Sequence, residues 1–200
     1  MTRLLTALLA ALEFNERSEP DLELTTWLAA RGVDVAHALS IVGPLAEHSI
    51  SVLPRAQFDF ADPLDNEAVR AVVHVALGDN TATPVDLVAW TRDQPDRMLR
   101  CLGAADALGI DQLCNPASYF DQRALWVRRN ALAWLAAGCD GIVPFNFSAI
   151  RERLQRLPAS QNYRLATADI ASGRVLRREL RPLPTCIRIM VPVPISDAAA

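Results

Sequence analysis

Two apolar runs, residues 71–77 (AVVHVAL) and 85–90 (VDLVAW), enclose the segment GDNTATP, and no other stretch restricts the fold as strongly. The runs are short, apolar and rich in β-branched Val, and the Gly, Asp, Asn and Pro between them favour turns. The expectation is a β-hairpin with a long loop, in which Asp79, Asn80, Thr81 and Thr83 are ordinary turn residues or ligand contacts. If Leu77 pairs with Val85, Val72, His74 and Ala76 share a face with Asp86, Val88 and Trp90. His74 and Asp86 then become diagonal neighbours, close enough for a carboxylate to orient an imidazole. Such a pair can act as a general base, so His74 and Asp86 are the candidate catalytic residues. No nucleophile is attached to them, and a purely structural His–Asp contact is the simpler reading.

The remaining chain reads as helices first and mixed elements later. At 200 residues, 51% hydrophobic and 22% charged, it suits one domain, with or without a helical appendage. That balance excludes a disordered tail, a collagen-like rod and a polytopic membrane protein. Leu4, Leu5, Leu8, Leu9 and Leu12 make a helical apolar stripe, too short to span a bilayer and running directly into Glu13, Asn15 and Glu16. It is expected to be a packed amphipathic helix of a cytoplasmic protein, or a dimerisation helix. Helices are also expected from Asp21 to Arg31, stopped by Gly32, and after Asp34 as cap, so that the first 52 residues read as helical. The joint between them invites a helix-turn-helix reading, but VAHALSIVG has no Arg and offers only His37 and Ser40 to a base edge.

Residues 57–66 (QFDFADPLDN) read as a loop or boundary, dividing the chain into an N-terminal helical segment (1–56) and an α/β domain (67–195). Met98, Leu99, Leu102, Ala105 and Leu108 predict a helix over residues 93–108. From residue 125 short strands and helices alternate: strands near 125–128, 142–145, 163–168 and 186–193, and helices over 131–137 and after a Ser148 cap. Residues 170–180 fit either a helix or a hairpin turning at Ser172–Gly173. The fold class expected is α/β or α+β, a mixed sheet with an antiparallel hairpin, covered by helices.

Charge is distributed unevenly. The net charge of −3 is the sum of −4 in residues 1–50, −5 in 51–120 and +6 in 121–200. Arg174, Arg177, Arg178 and Arg181 recur at helical spacing, and Arg151, Arg153 and Arg156 precede them. Guanidinium groups match carboxylates and phosphates in planar two-point contacts. Arg151, Arg153, Arg174, Arg177, Arg178 and Arg181 are therefore the candidate partner-binding residues, for an acidic protein or a nucleic acid. The bland alternative is a solvated face, or contact with the chain's own acidic half.

Several chemistries lack support. The chain contains no Lys, so the Gly-rich phosphate loop ending in Lys is impossible, and G-x-G-x-x-G, G-x-S-x-G and H-E-x-x-H do not occur. Cys101, Cys114, Cys139 and Cys186, like the three His, lack metal-ligand spacing, and Asp59, Asp62 and Asp65 lack the calcium-loop order. Neither a metal nor a cofactor is expected. Cys139 beside the Asp140–Gly141 turn is a conceivable nucleophile without a nearby His. Trp126 and Trp134 read as core, with base stacking as the alternative.

The segments WVRRNALAWLAAGCDGIVPFN (126–146) and GDNTATPVDLVAW (78–90) resemble uncharacterised proteins of bacterial prophages and mobile elements. That resemblance implies a bacterial intracellular setting and an accessory role, with no activity or residue role attached. The expected function is a cytoplasmic accessory or binding protein presenting its basic C-terminal face to an acidic partner, with no membrane contact. A His–Asp hydrolase or nuclease-like enzyme and a nucleic-acid binder are the alternatives.

Overall fold

The hairpin forms, but as part of a barrel wall. In the computed structural model, which describes residue 14 and residues 21–62, 64–79 and 83–192, β3 (Val69–Leu77) pairs antiparallel with β4 (Pro84–Trp90), preceded by β1 (Ala46–Leu53) and β2 (Gln57–Phe60) and followed by β5 (Leu99–Arg100). These strands close in the order β1-β2-β5-β4-β3. A mixed sheet with an antiparallel hairpin was the expectation; the hairpin is there, but this sheet closes into a barrel. Both faces of the hairpin are apolar: Val73, Val75, Leu87 and Ala89 cluster with Ile50, Phe58 and Leu99 inside the barrel. Val72, Ala76, Val88 and Trp90 point the other way, into a second cluster shared with three helices. Burial on both faces explains the nearly unbroken apolar runs, and closure removes the unpaired strand edges of an open sheet.

The helical expectation holds for α1 (Leu22–Ala29) and α2 (Val35–Val42), whose first turns are capped by the Asp21 and Asp34 carboxylates. It fails for residues 46–53, which form β1, and residues 57–60 are strand β2 where a loop was expected. β1 is hydrogen-bonded on both sides, to β2 and to β3, and this pairing overrides local helix preference. The barrel thus joins strands from either side of the expected boundary. The leucine stripe of residues 4–12, Asn80 and Thr81 lie outside the described residues.

The helix expected over 93–108 is replaced by turns, β5 and β6 (Ala107–Leu108). The reason lies in Asp86, whose carboxylate accepts the amides of Leu102, Ala104 and Ala105 and so withdraws them from helical bonding. Gly103, at φ +66°, makes the bend. A single helical turn, α3 (Asp111–Cys114), follows.

The last third carries a different architecture. It runs β7 (Leu125–Val127), α4 (Ala131–Ala136), β8 (Val143–Pro144), α5 (Phe147–Gln155), β9 (Tyr163–Thr167), α6 (Ile170–Glu179) and β10 (Ile187–Met190). Asn130, Asn146 and Asp169 cap the three helices, Asn146 taking the place expected for Ser148. Residues 170–180 are helix. Strands β10, β9 and β7 are parallel neighbours in that order. Beyond β7, a parallel bridge from Val127 to Ile142 attaches the segment leading into β8, which pairs with β6.

The chain therefore leaves β7 in one direction, towards β8, then crosses back over β7 to β9 and β10. Helix α4 packs against the barrel with Val143, whereas α5 and α6 pack with Leu125, Ile142, Leu165 and Ile187 in a separate cluster. Helices thus cover opposite faces of a small doubly wound sheet, and its winding reverses between β7 and β9. Mixed α/β composition is as expected. No helix among the described residues is long and apolar enough to cross a membrane.

Candidate functional site

His74 and Asp86 do lie diagonally on one face of β3 and β4, since His74 opposes Val88 and Ala76 opposes Asp86. The pairing slips between Ala76 and Leu77, so Leu77 opposes Pro84 instead of Val85. No hydrogen bond joins the two side chains. The His74 Nδ1–H donates to the Val75 carbonyl at 3.2 Å, and its Nε2 is buried without a partner. Burial in this apolar layer lowers the His74 pKa to about 4, outweighing the backbone bond, so the ring is neutral at physiological pH. The Asp86 carboxylate is fully engaged elsewhere. One oxygen accepts the Leu87 and Leu102 amides at 2.9 and 2.8 Å, the other those of Ala104 and Ala105 at 2.6 and 3.0 Å. Chemically, Asp86 pins the loop after β5 to the barrel, and His74 fills core space.

The arginines divide into two groups. Arg153 is held between Asp79 and Asp106, at 2.6 Å and 3.3 Å, instead of facing outward. Partial burial opposes its charge, but the bonds and fields of the two aspartates outweigh this and raise its pKa. Arg151 bridges α5 to the end of α6 by donating to the Arg181 carbonyl at 3.0 Å, and Arg177 donates to the Ile189 carbonyl at 3.0 Å. Arg174 and Arg178 project from the exposed side of α6, whose opposite side buries Gly173 and Leu176; Arg181 is exposed just beyond the buried C-cap Leu180. Arg178 bonds its neighbour Glu179; the Arg174 and Arg181 side chains have no ion-pair partner among the described residues.

Among the described residues, clefts open at three places at least, and His74 and Asp86 line none of these three. One, at the barrel mouth, includes Cys139, whose buried thiol is pushed up to about 12 by desolvation. That leaves essentially no thiolate at neutral pH and removes the nucleophile reading. A second lies beside Arg164 and the 3-10 turns of Pro116–Gln122.

The third, of about 550 Å³, opens at the carboxyl ends of β7 and β9. Arg128 and Arg129 follow β7 on one side; Thr167, Asp169 and Ser172 join β9 to α6 on the other. Val127, Phe147 and Val175 add apolar wall. Arg129 is ion-paired with Asp96, which also accepts from Asn130 Nδ2 at 2.6 Å. Arg128 lies 4.9 Å from the Trp126 ring centre and donates only through Nε, to the Asp140 carbonyl at 3.1 Å. The Asp140 carboxylate stands off at 3.7 Å. None of the five polar residues Arg128, Arg129, Thr167, Asp169 and Ser172 was a candidate site residue in the sequence, where Ser172 entered only as a possible turn. The signals were the two strand-to-helix junctions at Asn130 and Asp169, which become a cleft only once the strand order is known.

Among the described residues, no group of three or more His, Cys, Asp or Glu side chains is placed to hold a metal ion. Comparison with protein-family models, with curated proteins and with solved structures found no match to this chain.

Proposed function

We propose that the chain is an accessory binding protein, in keeping with its mobile-element resemblance, that offers the basic face of α6 to an acidic partner. One observation carries this reading. Arg174 and Arg178 stand on the solvent side of a helix whose other side is locked into the core, Arg181 follows just past its C-cap, and among the described residues only Glu179 pairs with any of the three. Fixed in this way, the guanidinium groups lose less freedom on docking than the same groups on a loose tail.

An acidic protein patch fits this face better than a long nucleic acid. The first 120 residues carry a net charge of −9, which would repel a polyanion extending beyond the helix. The test is calorimetric titration with polyglutamate and with single-stranded DNA at low and high salt, using the wild type and an R174A/R178A/R181A variant. The reading expects salt-sensitive polyglutamate binding that the variant loses. Tighter binding of DNA would transfer the face to nucleic-acid recognition, and salt-insensitive or absent binding would remove it.

A further inference from the structure

The crevice between β7 and β9 combines three features that arise independently. The first is its place in the fold. In doubly wound sheets the loops at the carboxyl ends of the strands diverge where the winding reverses, leaving a concavity that ligands occupy. Here the reversal falls between β7 and β9, and the 550 Å³ opening lies there.

The second feature is unused donor capacity. A guanidinium has five N–H donors, and Arg128 uses one of them, to the Asp140 carbonyl. Among the described residues its ion-pair partner is the Asp140 carboxylate, which at 3.7 Å is beyond hydrogen-bond reach. Desolvation lowers the pKa of Arg128 despite that neighbour, so the group is poorly compensated where it stands. Arg129 sits next to it, its side chain 71% exposed, ion-paired with Asp96 and within electrostatic reach of Asp169 across the crevice.

The third feature is the opposite wall. Asp169 caps α6, accepting the Ser172 amide and hydroxyl at 2.7 Å each. Its carboxylate already occupies the helix N-terminus, so a ligand anion is directed to the arginine side. The lone pairs left on Asp169 suit hydroxyl donors, and Phe147 with Val127 and Val175 offers apolar surface to a flat ring.

We propose that this crevice binds a small heterocyclic ligand carrying hydroxyls and one phosphate, of the nucleoside monophosphate class, with the phosphate on Arg128 and Arg129 and the hydroxyls towards Asp169. This site is separate from the exposed face of α6, and the two readings stand or fall apart.

The test is titration of the full chain with AMP, adenosine and inorganic phosphate, followed by calorimetry and by the fluorescence of Trp126 beside Arg128. AMP is expected to bind with a Kd of about 10 μM to 1 mM. Arg128→Met, which keeps the stem over Trp126, is expected to weaken AMP at least tenfold. Ala171→Trp, which fills the crevice without altering charge, is expected to abolish binding. The R174A/R178A/R181A variant retains AMP binding if the sites are separate. Circular dichroism establishes that each variant is folded, and should one not fold, the other decides. The proposal is overturned by no AMP binding up to about 5 mM, by adenosine or phosphate binding as tightly as AMP, or by AMP binding that survives both crevice substitutions.

Discussion

The barrel and the doubly wound sheet treat their polar side chains in opposite ways. In the barrel wall, Asp86 is 1% exposed, and its carboxylate is consumed by four backbone amides. His74 is wholly buried, with one nitrogen on a neighbouring carbonyl and the other without a partner. In the sheet of the last third, Arg128, Arg174 and Arg181 keep donors that no other part of the described chain uses. His74 and Asp86 serve the fold, as Arg151, Arg153 and Arg177 do in the last third, whereas Arg128, Arg174 and Arg181 keep capacity for something else. A residue type that looks catalytic in sequence is therefore a weak guide until its bonding capacity has been followed to its partners.

The largest effect that can break this contrast is expected at Asp86. Asp86→Ala strands the amides of residues 102, 104 and 105 in or near the core, and should lower stability by about 3–5 kcal/mol in urea denaturation. A loss below about 1 kcal/mol would mean the loop finds other acceptors and that Asp86 is free for other work.

His74 gives the next effect, through pH. Its folded pKa of about 4 lies below the ordinary value of 6.5, so the folded state favours the neutral ring. The stability associated with this group is complete above pH 6.5 and declines as pH falls towards 4, by roughly 3 kcal/mol in all. Chemical denaturation at a series of pH values should show that slope, and His74→Leu should flatten it. An unchanged slope in the variant would place the titration elsewhere.

The barrel wall was partly legible in sequence, because strand alternation alone dictates which residues share a face. His74 and Asp86 come out as diagonal neighbours even though the slip at Ala76–Leu77 was not foreseen. Barrel closure was not legible, since it depends on β1 and β2, whose residues carry no strong strand pattern of their own. The apolar spacing of residues 98–108 imitates a helix, yet the competing acceptor is Asp86, distant in sequence. In the last third, elements were readable from their caps and glycines, and residues 170–180 resolve as helix because Asp169 satisfies the first turn. The crevice was invisible for a topological reason. No glycine-rich fingerprint marks it, and Arg128 and Asp169, forty-one positions apart, meet only through the order of the parallel strands.

A smaller stability effect is expected at Gly141, which sets the spacing between β7 and the segment entering β8. It adopts φ +98°, and a Cβ there would stand 2.3 Å from the Trp126 carbonyl oxygen. That carbonyl accepts the Ile142 amide at 2.8 Å, so the bridge holding the two segments together would have to shift. Gly141→Ala should cost about 2 kcal/mol, and it should disturb the crevice floor as well. AMP affinity and thermal midpoint should therefore fall together in this variant, whereas Asp86→Ala should reduce the midpoint alone under conditions where the protein remains folded.

The smallest effect sharpens the contrast most. Each of Arg174→Ala, Arg178→Ala and Arg181→Ala should change stability by no more than about 0.5 kcal/mol, because these exposed guanidiniums make few contacts and an isolated surface ion pair such as Arg178–Glu179 contributes little. Arg153→Ala is the internal control. It removes the partner of both Asp79 and Asp106, with only about a quarter of its own side chain exposed, and should cost more than any of the three. If Arg174, Arg178 or Arg181 proved as costly as Arg153, its guanidinium would be serving the fold as Asp86 does, and the basic face of α6 would lose its claim to a partner. Near-zero costs, combined with loss of polyglutamate binding in the triple variant, would instead separate folding from recognition at the level of single side chains.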